Sequence, residues 1–508
     1  MSTVSGSTQG LDAGPWRPLL ANTAPQHVVA WRAGRAAHAG EFLAEVAALA
    51  ARLPTAPAAV NLCEDRYAFL VAFAAVLARG QTNLLPPSRA IRAVAGALAA
   101  HPGSYALGDV ALDPEPPHYF RFARRVAEPA RHAPALIAGG MVAAVSYTSG
   151  STGVPHANAR SWDRFALSTA CNDALLRELT GGDYHALATV PPQHMYGLEF
   201  SVLLPLFGHA AVHTGRPFYP ADIATALAEL PEPRVLVTTP VHLRTLVDSG
   251  QPLPRLAGVL SSTAPLAPEL ARAAETRFGA AVREVFGSTE TSAIAYRRPA
   301  HADVWMPHAG VRLHPQPDGT RVEAPWLAHP VVLADIVELA GDRGFRLRGR
   351  NTDLLEIAGK RASLGDLTHK LLKVQGVRDG VVFQLDERDA MGVRRIAALA
   401  VASGGSAAAI LEKLRREIDP VFLPRPLKLV DALPRSETGK LARAALLALL
   451  ERDSGLGTRD SGLGTRKSAT EPPIRRESTR RRRHFARFRH AFARCFRERR
   501  GYVVHAPP

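Results

Sequence analysis

Residues 234–261 read RVLVTTPVHLRTLVDSGQPLPRLAGVLS. Two short apolar runs, at 234–238 and 258–261, flank a helical pattern at 241–247. Short β-branched runs bounded by turn residues are typical of buried strands, and their alternation with helices indicates a parallel sheet covered by helices. The stretch therefore predicts one strand–helix–strand unit of an α/β fold.

The same alternation continues on both sides of this unit. Further patterns predict strands at 142–147, 186–190, 210–214 and 282–285, and helices at 162–179, 196–206 and 267–278. Such sheets bind ligands in the loops at the carboxyl ends of their strands, so chemistry is expected there. Beyond residue 350 the pattern changes to a compact α+β unit, with helices at 364–374 and 407–418 and strands at 380–384 and 395–401.

These patterns predict a large domain over 1–350, mostly parallel sheets covered by helices, and a small, mobile α+β domain over 351–450. A hinge is expected near residue 350. Residues 451–508 form a tail of different composition.

Composition excludes several classes of protein. The chain has 508 residues, of which 46% are hydrophobic and 21% charged, as in a multidomain globular protein with a sizeable core. Its three cysteines are too few and too scattered for a disulfide framework. Neither a membrane-spanning apolar run nor a secretion signal is recognised, so a soluble, cytoplasmic protein is expected.

The net charge of +16 belongs mostly to the tail. Residues 451–508 contain 16 of the 62 lysines and arginines but only six of the 46 acidic residues. They include two copies of RDSGLGT and a run of four arginines, 480–483, followed by phenylalanines at helical spacing. The preferred interpretation is a disordered extension without a role, with contact to a membrane surface or RNA left open. No nucleic-acid partner is expected.

The stretch YTSGSTGVP, residues 147–155, follows a predicted strand and precedes a predicted helix. Its small residues let the backbone approach a phosphate chain closely, and its amides and hydroxyls can bind phosphate oxygens. It lacks the Gly-Lys-Ser/Thr end of a Walker loop, so on its own a plain turn is an equal alternative.

This loop resembles the phosphate-binding signature of the adenylate-forming superfamily, which includes acyl-CoA synthetases, nonribosomal adenylation domains and luciferases. Further segments resemble that superfamily's motifs, in the same order over residues 30–450: SSTAPL at 261–266, FGSTE at 286–290, Asp335, Gly349-Arg350, AGKRA at 358–362 and LPRSETGK at 433–440.

The resemblance implies ATP and Mg2+ as cofactors and a role for each matched residue. Glu290 would coordinate magnesium, and Lys440 would be the catalytic cation between the carboxylate and the α-phosphate. The 261–266 segment would line the adenine pocket, and Asp335 and Arg350 would reach the ribose hydroxyls. The residues implied to bind ATP are Thr148, Ser149, Gly150, Ser151, Thr152, Gly153, Arg160, Thr263, Ala264, Phe286, Thr289, Asp335 and Arg350.

Two positions depart from the superfamily pattern. The loop usually ends Pro-Lys, with the lysine near the β- and γ-phosphates, whereas this chain has Pro155-His156. We expect Arg160 to stand in for the lysine; the alternatives are a merely weakened phosphate site and a role for His156 itself. The residue after Arg350-Asn351, commonly Asp or Lys, is Thr352, which leaves the hinge contacts open.

The segment PPQHMYG, residues 191–197, resembles the motif whose histidine lines the acid pocket of aryl-CoA ligases, so His194 is a candidate catalytic residue. Met195, Tyr196 and Phe200 would suit an aromatic acid, although all three are equally suited to a core. Segments 61–67, 79–88 and 190–205 look most like short ligases of aryl polyene and xanthomonadin pigment biosynthesis. Those enzymes load a hydroxybenzoate-like acid onto an acyl carrier protein.

The sequence thus predicts an AMP-forming acid–thiol ligase that adenylates an aromatic acid and transfers it to an acyl carrier protein. A CoA ligase is the first alternative, because it shares the adenylation step and differs only in the thiol. A non-catalytic nucleotide- or acid-binding protein is the second alternative, suggested by His156.

Overall fold

The computed structural model describes residues 15–123, 134–148, 156–350, 354–357, 360–388, 394–436, 439 and 441–451, all of which belong to one compact unit. The tail beyond Arg452 and the extreme N-terminus lie outside these residues. In the described part of the chain, no helix combines the length and apolar character needed to cross a membrane.

The strands of the described residues are β1 (Trp16–Pro18), β2 (Val28–Arg32), β3 (Arg35–His38), β4 (Ala58–Asn61), β5 (Thr82–Leu85), β6 (Tyr105–Gly108), β7 (Tyr119–Arg121), β8 (Leu136–Ala138), β9 (Val142–Thr148), β10 (His156–Ser161), β11 (Tyr184–Ala188), β12 (Ala210–His213), β13 (Arg234–Thr238), β14 (Gly258–Ser261), β15 (Ala281–Ser288), β16 (Ser292–Arg297), β17 (Met306–Pro307), β18 (Arg312–Gln316), β19 (Gly319–Glu323), β20 (Val331–Leu333), β21 (Asp335–Ala340), β22 (Gly344–Arg350), β23 (Leu354–Ile357), β24 (Lys360–Ser363), β25 (Val377–Arg388), β26 (Arg394–Ala402) and β27 (Leu427–Leu429).

The helices are α1 (Ala39–Ala50), α2 (Arg66–Ala78), α3 (Ile91–Ala100), α4 (Trp162–Thr180), α5 (Met195–Leu198), α6 (Leu204–Phe207), α7 (Pro220–Ala228), α8 (Pro240–Ser249), α9 (Pro268–Phe278), α10 (Leu364–Lys373), α11 (Ala407–Leu414) and α12 (Arg443–Glu451). A π-helical turn, Glu199–Leu203, joins α5 to α6.

The largest sheet has the strand order β17-β16-β15-β14-β13-β11-β12-β2-β3, and its centre is parallel. Successive side chains of a strand point to opposite faces, and both faces are buried here. Leu236 packs toward α7, α8 and α9, whereas Val235 and Val237 pack toward α4 and the π-helical turn. The predicted parallel, helix-covered sheet is confirmed.

A second sheet, β10-β9-β5-β4-β6-β7, faces the first across α1 and α2. Almost every residue of α2 is buried, because this helix lies between the two sheets. Asp65 begins the helix by accepting a hydrogen bond from the amide of Ala68 at 2.8 Å.

Residues 360–451 build the smaller α+β region. Strands β25, β26 and β27 form one sheet, whose two faces contribute to separate apolar clusters: one with α10 and α11, the other with α12. The predicted helices and strands of this region are present. The hinge at residue 350 and the mobility of this region stay predictions.

The interpretation of residues 156–161 as part of a loop that leads into a helix was wrong. These residues form β10, which pairs antiparallel with β9 and places His156 opposite Thr148. The phosphate-loop segment therefore connects two strands of a hairpin, so the argument from a helix N-terminus does not apply to it. Polar residues at 156, 158 and 160 concealed this strand from the pattern of apolar runs.

Replacing Leu236 with Ala tests the packing of the central sheet. Leu236 has no exposed surface, so its truncation is expected to lower the free energy of unfolding by about 2–5 kcal/mol. Leu167→Ala on α4 is the control, because that side chain is 41% exposed and its loss should change stability by at most about 0.5 kcal/mol. Equal urea midpoints for the two variants would contradict the central position of β13.

Candidate active site

Four neighbouring parallel strands, β11, β13, β14 and β15, end at one edge of the large sheet. Six of the predicted site residues that the structure describes lie at this edge, either in the last residues of a strand or in the segment after it: His194, Thr263, Ala264, Phe286, Thr289 and Glu290. The structure thus brings them to the same side of the sheet, while their chemical roles stay predictions.

The turn that carries Thr289 and Glu290 connects β15 to β16 and is held from several sides. The hydroxyl of Thr291 accepts a hydrogen bond from the Ser288 amide at 3.0 Å, and the indole of Trp326 donates to the Thr291 carbonyl at 2.8 Å. A Cβ at Gly287 would overlap the Ser292 carbonyl, so the motif requires glycine at this position. The Thr289 and Glu290 side chains are partly exposed on this rigid turn.

Arg160 lies beneath the same turn. Its side chain is buried, and its guanidinium donates to the Ser292 hydroxyl at 2.6 Å and to the Glu290 and Thr289 carbonyls at 3.0 and 3.4 Å. The Arg160 guanidinium, which we expected to reach the β- and γ-phosphates, is thus hydrogen-bonded to these three protein acceptors. The direct phosphate contact stays a prediction. His156, four residues nearer the loop, is exposed.

The segment expected to line the adenine pocket follows β14. Thr263 has φ +81, a left-handed conformation that is strained for a β-branched residue. Glu284 of β15 holds this segment by accepting the Leu266 amide at 2.7 Å and pairing with Arg297 at 2.7 Å. Burial raises the pKa of Glu284, and the Arg297 charge opposes that rise. Sequence reasoning missed Glu284; the only signal was an acid inside an apolar strand.

Asp335 and Arg350, the expected ribose ligands, are cross-strand partners in the β21–β22 hairpin. The Nε atom of Arg350 lies 3.1 Å from Oδ1 of Asp335, and the Arg350 side chain is exposed. The structure thus brings these two residues together, while their contact with the ribose stays a prediction. Phe286, in contrast, packs its ring 5.6 Å from Trp305 and 6.1 Å from Phe345 in an aromatic cluster.

His194 directly precedes α5, and the backbone around it is held by a buried arginine that sequence reasoning missed. Arg66 donates to the Ala188 and Val190 carbonyls at 2.9 and 2.8 Å and also bonds the Ser201 hydroxyl. Burial lowers the pKa of Arg66 to about 9. A Cβ at Gly197 would overlap the Pro191 carbonyl, so this bend of the chain is tight.

A buried polar chain lies next to this segment, at the ends of β11 and β13. The Thr189 hydroxyl is 3.1 Å from the Thr238 hydroxyl and 2.9 Å from Nδ1 of His242. Burial lowers the pKa of His242, and the positive charge of Arg216 lowers it further. Both effects favour the neutral imidazole. His242 was not predicted as a site residue.

Gly439, which precedes the predicted catalytic lysine, contacts the large sheet's edge. A Cβ at this position would lie 3.4 Å from Cγ2 of Val241 on α8. Arg435 anchors the same segment by donating to the Gly439 carbonyl at 2.7 Å and by a bidentate pair with Asp379 at 2.7 and 2.9 Å. The segment that carries the lysine is thus tied to the α+β region at one end and adjoins α8 at the other.

Several predicted positions lie outside the described residues. They are Ser149, Gly150, Ser151, Thr152, Gly153, Lys440, the hinge residue Thr352, and residues 358 and 359 of the glycine motif. The backbone of Thr148 ends β9, but its side chain is also outside the described part.

Comparison with known proteins gives the family. The model of the AMP-binding enzyme family matches residues 29–322. A 4-coumarate–CoA ligase of Halorhodospira halophila is 30% identical in an alignment of 310 positions that covers 58% of this chain and 73% of that protein. A 3,4-dihydroxybenzoate–[aryl-carrier protein] ligase of Bacillus anthracis is 21% identical over 59% of this chain and 73% of its own length.

A solved structure shows the same fold. The o-succinylbenzoate coenzyme A synthetase of Bacillus subtilis, determined in complex with ATP and magnesium ion, superimposes with a TM-score of 0.71. The match covers 85% of this chain and 99% of that chain at 18% identity. With the family model covering more than half of its residues, the chain belongs to the AMP-binding enzyme family.

Proposed function

We propose that this protein is an ATP-dependent acid–thiol ligase that activates an aromatic carboxylic acid as an acyl adenylate. It then transfers the acyl group to the thiol of an acyl carrier protein. The observation that carries the proposal is the meeting of three matched motifs at one sheet edge. Thr289-Glu290 and the 261–266 segment follow β15 and β14, and Gly439 of the lysine motif lies next to Val241 at the start of α8, which follows β13.

The first step joins two anions, the substrate carboxylate and the α-phosphate of ATP. A carboxylate oxygen attacks the phosphorus, an acyl–phosphate bond forms, and pyrophosphate leaves. Fixed positive charges near the reacting oxygens stabilise the charge that develops in the transition state. Lys440 is proposed to supply such a charge, brought to the edge by the segment that Arg435 and Asp379 hold.

The residues present fit a magnesium ion. Mg2+ is bound in nucleotide sites by one or two carboxylates together with substrate phosphates, and it neutralises phosphate charge there. Glu290 offers a partly exposed carboxylate on a turn whose backbone is fixed on both sides, and Thr289 offers a hydroxyl beside it. Asp335 and Arg350 are proposed to hold the ribose.

In the second step the thiol sulfur attacks the acyl carbonyl, the thiol gives up its proton, and AMP leaves. The matched family is named for binding AMP, the nucleotide released in this step. The two relatives named above are ligases for CoA and for an aryl-carrier protein. Passage between the steps is proposed to involve rotation of residues 351–450 about residue 350. Gly349 has φ +121, and a Cβ at this position would lie 2.5 Å from the Ser363 hydroxyl oxygen, so only glycine fits the backbone there.

The aromatic substrate is supported by the relatives, which act on coumarate and dihydroxybenzoate. His242 and His194 are proposed to hydrogen-bond a hydroxyl on the aromatic ring. Phe200, in contrast, is fully buried in the core and is not proposed to touch the acid. A role in pigment biosynthesis, a cytoplasmic location and membrane contact by the tail stay predictions.

Acid-dependent exchange of pyrophosphate into ATP tests the proposal. We expect exchange with hydroxybenzoates or cinnamates to exceed exchange with fatty acids, and thioester formation with a phosphopantetheinylated carrier protein to exceed that with CoA. The reverse thiol preference would make the protein a CoA ligase. ATP binding without exchange for any acid in the panel would support the non-catalytic alternative.

Lys440→Ala is expected to abolish acid-dependent exchange while leaving ATP binding within a few fold. Loss of one preorganised charge typically lowers the rate roughly 10²–10³-fold. Lys413→Ala is the matched control, because this exposed lysine lies on α11 of the same region. Exchange that is equal in the two variants would remove Lys440 from the catalytic role.

Glu290→Gln is expected to raise the magnesium concentration needed for half-maximal exchange, because an amide is a poorer ligand than a carboxylate for a hard cation. Glu269→Gln is the control, because the Glu269 side chain is 62% exposed on α9 and pairs only with Arg272 among the contacts described. An unchanged magnesium titration for Glu290→Gln would contradict the metal assignment.

A further inference from the structure

Two ionisable side chains are buried beneath the Thr289-Glu290 turn. Arg160 of β10 is 5% exposed, and Glu199 of the π-helical turn is 2% exposed. Their charges attract each other, and each side chain forms its own hydrogen bonds to neighbouring groups. Burying an ionisable group is costly unless it is hydrogen-bonded, so the groups that each side chain bonds indicate its role.

Arg160 holds both peptide planes that flank Glu290. One guanidinium nitrogen donates to the Thr289 carbonyl, which belongs to the peptide before Glu290, and to the Glu290 carbonyl, which belongs to the peptide after it. With both planes held, the Cα atom of Glu290 has little freedom to shift or rotate. The carboxylate at position 290 therefore starts from a fixed point of the backbone.

Glu199 bonds the backbone of Ala293, the residue after Ser292. Its two carboxylate oxygens each lie 3.3 Å from the Ala293 amide nitrogen. Burial raises the pKa of Glu199 to about 7, while the Arg160 charge and the hydrogen bond from the Ala293 amide oppose the rise. Arg160 bonds the Ser292 hydroxyl and Glu199 bonds the amide of the next residue, so the two side chains hold adjacent positions of β16.

This network also holds a strained residue. Ser292 has φ +61 and is 1% exposed, a left-handed conformation that disfavours a residue with a Cβ. Glu199 lies five residues after His194, in the segment proposed to contact the acid. Its contact with Ala293 therefore connects that segment to the strand that follows the Thr289-Glu290 turn.

Strand register separates Arg160 from the phosphate loop. His156 pairs with Thr148 at the loop end of the β9–β10 hairpin, whereas Arg160 pairs with Ala144. Four residues of strand correspond to roughly 13 Å. Arg160 therefore lies away from the loop, where it can affect ATP through the turn at 289–290. His156, in contrast, is the residue at the loop end of β10.

We propose that Arg160 and Glu199 are positioning residues that hold Thr289 and Glu290 for Mg·ATP, in register with the acid-binding segment. The inference rests on the proposed function for Glu290 as a magnesium ligand. In this proposal Arg160 does not contact phosphate directly. It acts on the metal indirectly, by holding the backbone of Glu290.

The test measures ATP binding by thermal shift, with and without Mg2+, and the magnesium dependence of pyrophosphate exchange. Arg160→Gln is expected to raise the half-saturating magnesium concentration roughly tenfold, as for loss of a group that orients a metal ligand. ATP binding without Mg2+ should change little. Glu199→Gln should act in the same direction, and the double variant should be no worse than Arg160→Gln.

Arg160→Lys distinguishes the two roles. Lysine is an effective point charge for phosphate but lacks the planar fork that bonds three acceptors at once. A positioning role predicts that Lys does not restore the magnesium response. Restoration by Lys, or loss of ATP binding to the same extent without Mg2+, would overturn the proposal in favour of a direct phosphate contact.

Arg297→Gln is the matched control, because it breaks a different arginine contact, the pair with Glu284, whose carboxylate bonds the Leu266 amide and not the Thr289-Glu290 turn. It should weaken ATP binding equally with and without Mg2+. A magnesium shift as large as that of Arg160→Gln would reduce the effect to general destabilisation and overturn the proposal. If Arg160→Gln does not fold, Ser292→Ala removes the hydroxyl that Arg160 bonds and must shift the magnesium response in the same direction.

The thermal-shift readout requires neither acid nor thiol, so it separates this proposal from the proposed function. A wild-type protein that binds Mg·ATP and responds to these variants, but exchanges pyrophosphate with no acid, would contradict the ligase assignment and uphold the positioning role. Normal exchange with magnesium responses unchanged by the variants would do the opposite.

Discussion

Parallel pairing of β11, β13, β14 and β15 is the constraint on which the rest of the site depends. Parallel strands run in one direction, so their carboxyl ends must lie along the same edge, and connections between them must cross over through helices. Segments that are up to about a hundred residues apart in the chain therefore meet without any long-range signal in the sequence. The edge also gives α8 a fixed place, against which Gly439 of the lysine motif packs.

Buried charges then set the fine geometry at this edge. Arg66, Arg160 and Glu284 each bond backbone groups of a site segment: the 188–190 carbonyls, the 289–290 carbonyls and the Leu266 amide. A charged side chain has strong, directional hydrogen bonds in a low-dielectric interior, and it tolerates few alternative partners there. These three segments are thus held from the protein interior by buried charged side chains.

The sequence was sufficient for the elements with strong local signals. The bounds of β13 and β14 follow from isolated apolar runs, and Asp335 and Arg350 were placed together by their motifs. What could not be predicted depends on partners far along the chain. Arg66 bonds Ser201 across 135 residues, and Arg160 bonds Ser292 across 132, so nothing near either arginine reveals that it is buried. Strand β10 was missed because its inward positions carry polar side chains, which an apolar pattern cannot detect.

The β9–β10 hairpin has a consequence for sequence variation in this part of the chain. Thr148 and His156 are paired, and opposite residues of an antiparallel ladder have Cα atoms about 4.5–5.5 Å apart. Pairs further along both strands, such as Arg160 with Ala144, fix these two positions. Substitutions between residues 148 and 156 are therefore expected to leave the register of both strands unchanged.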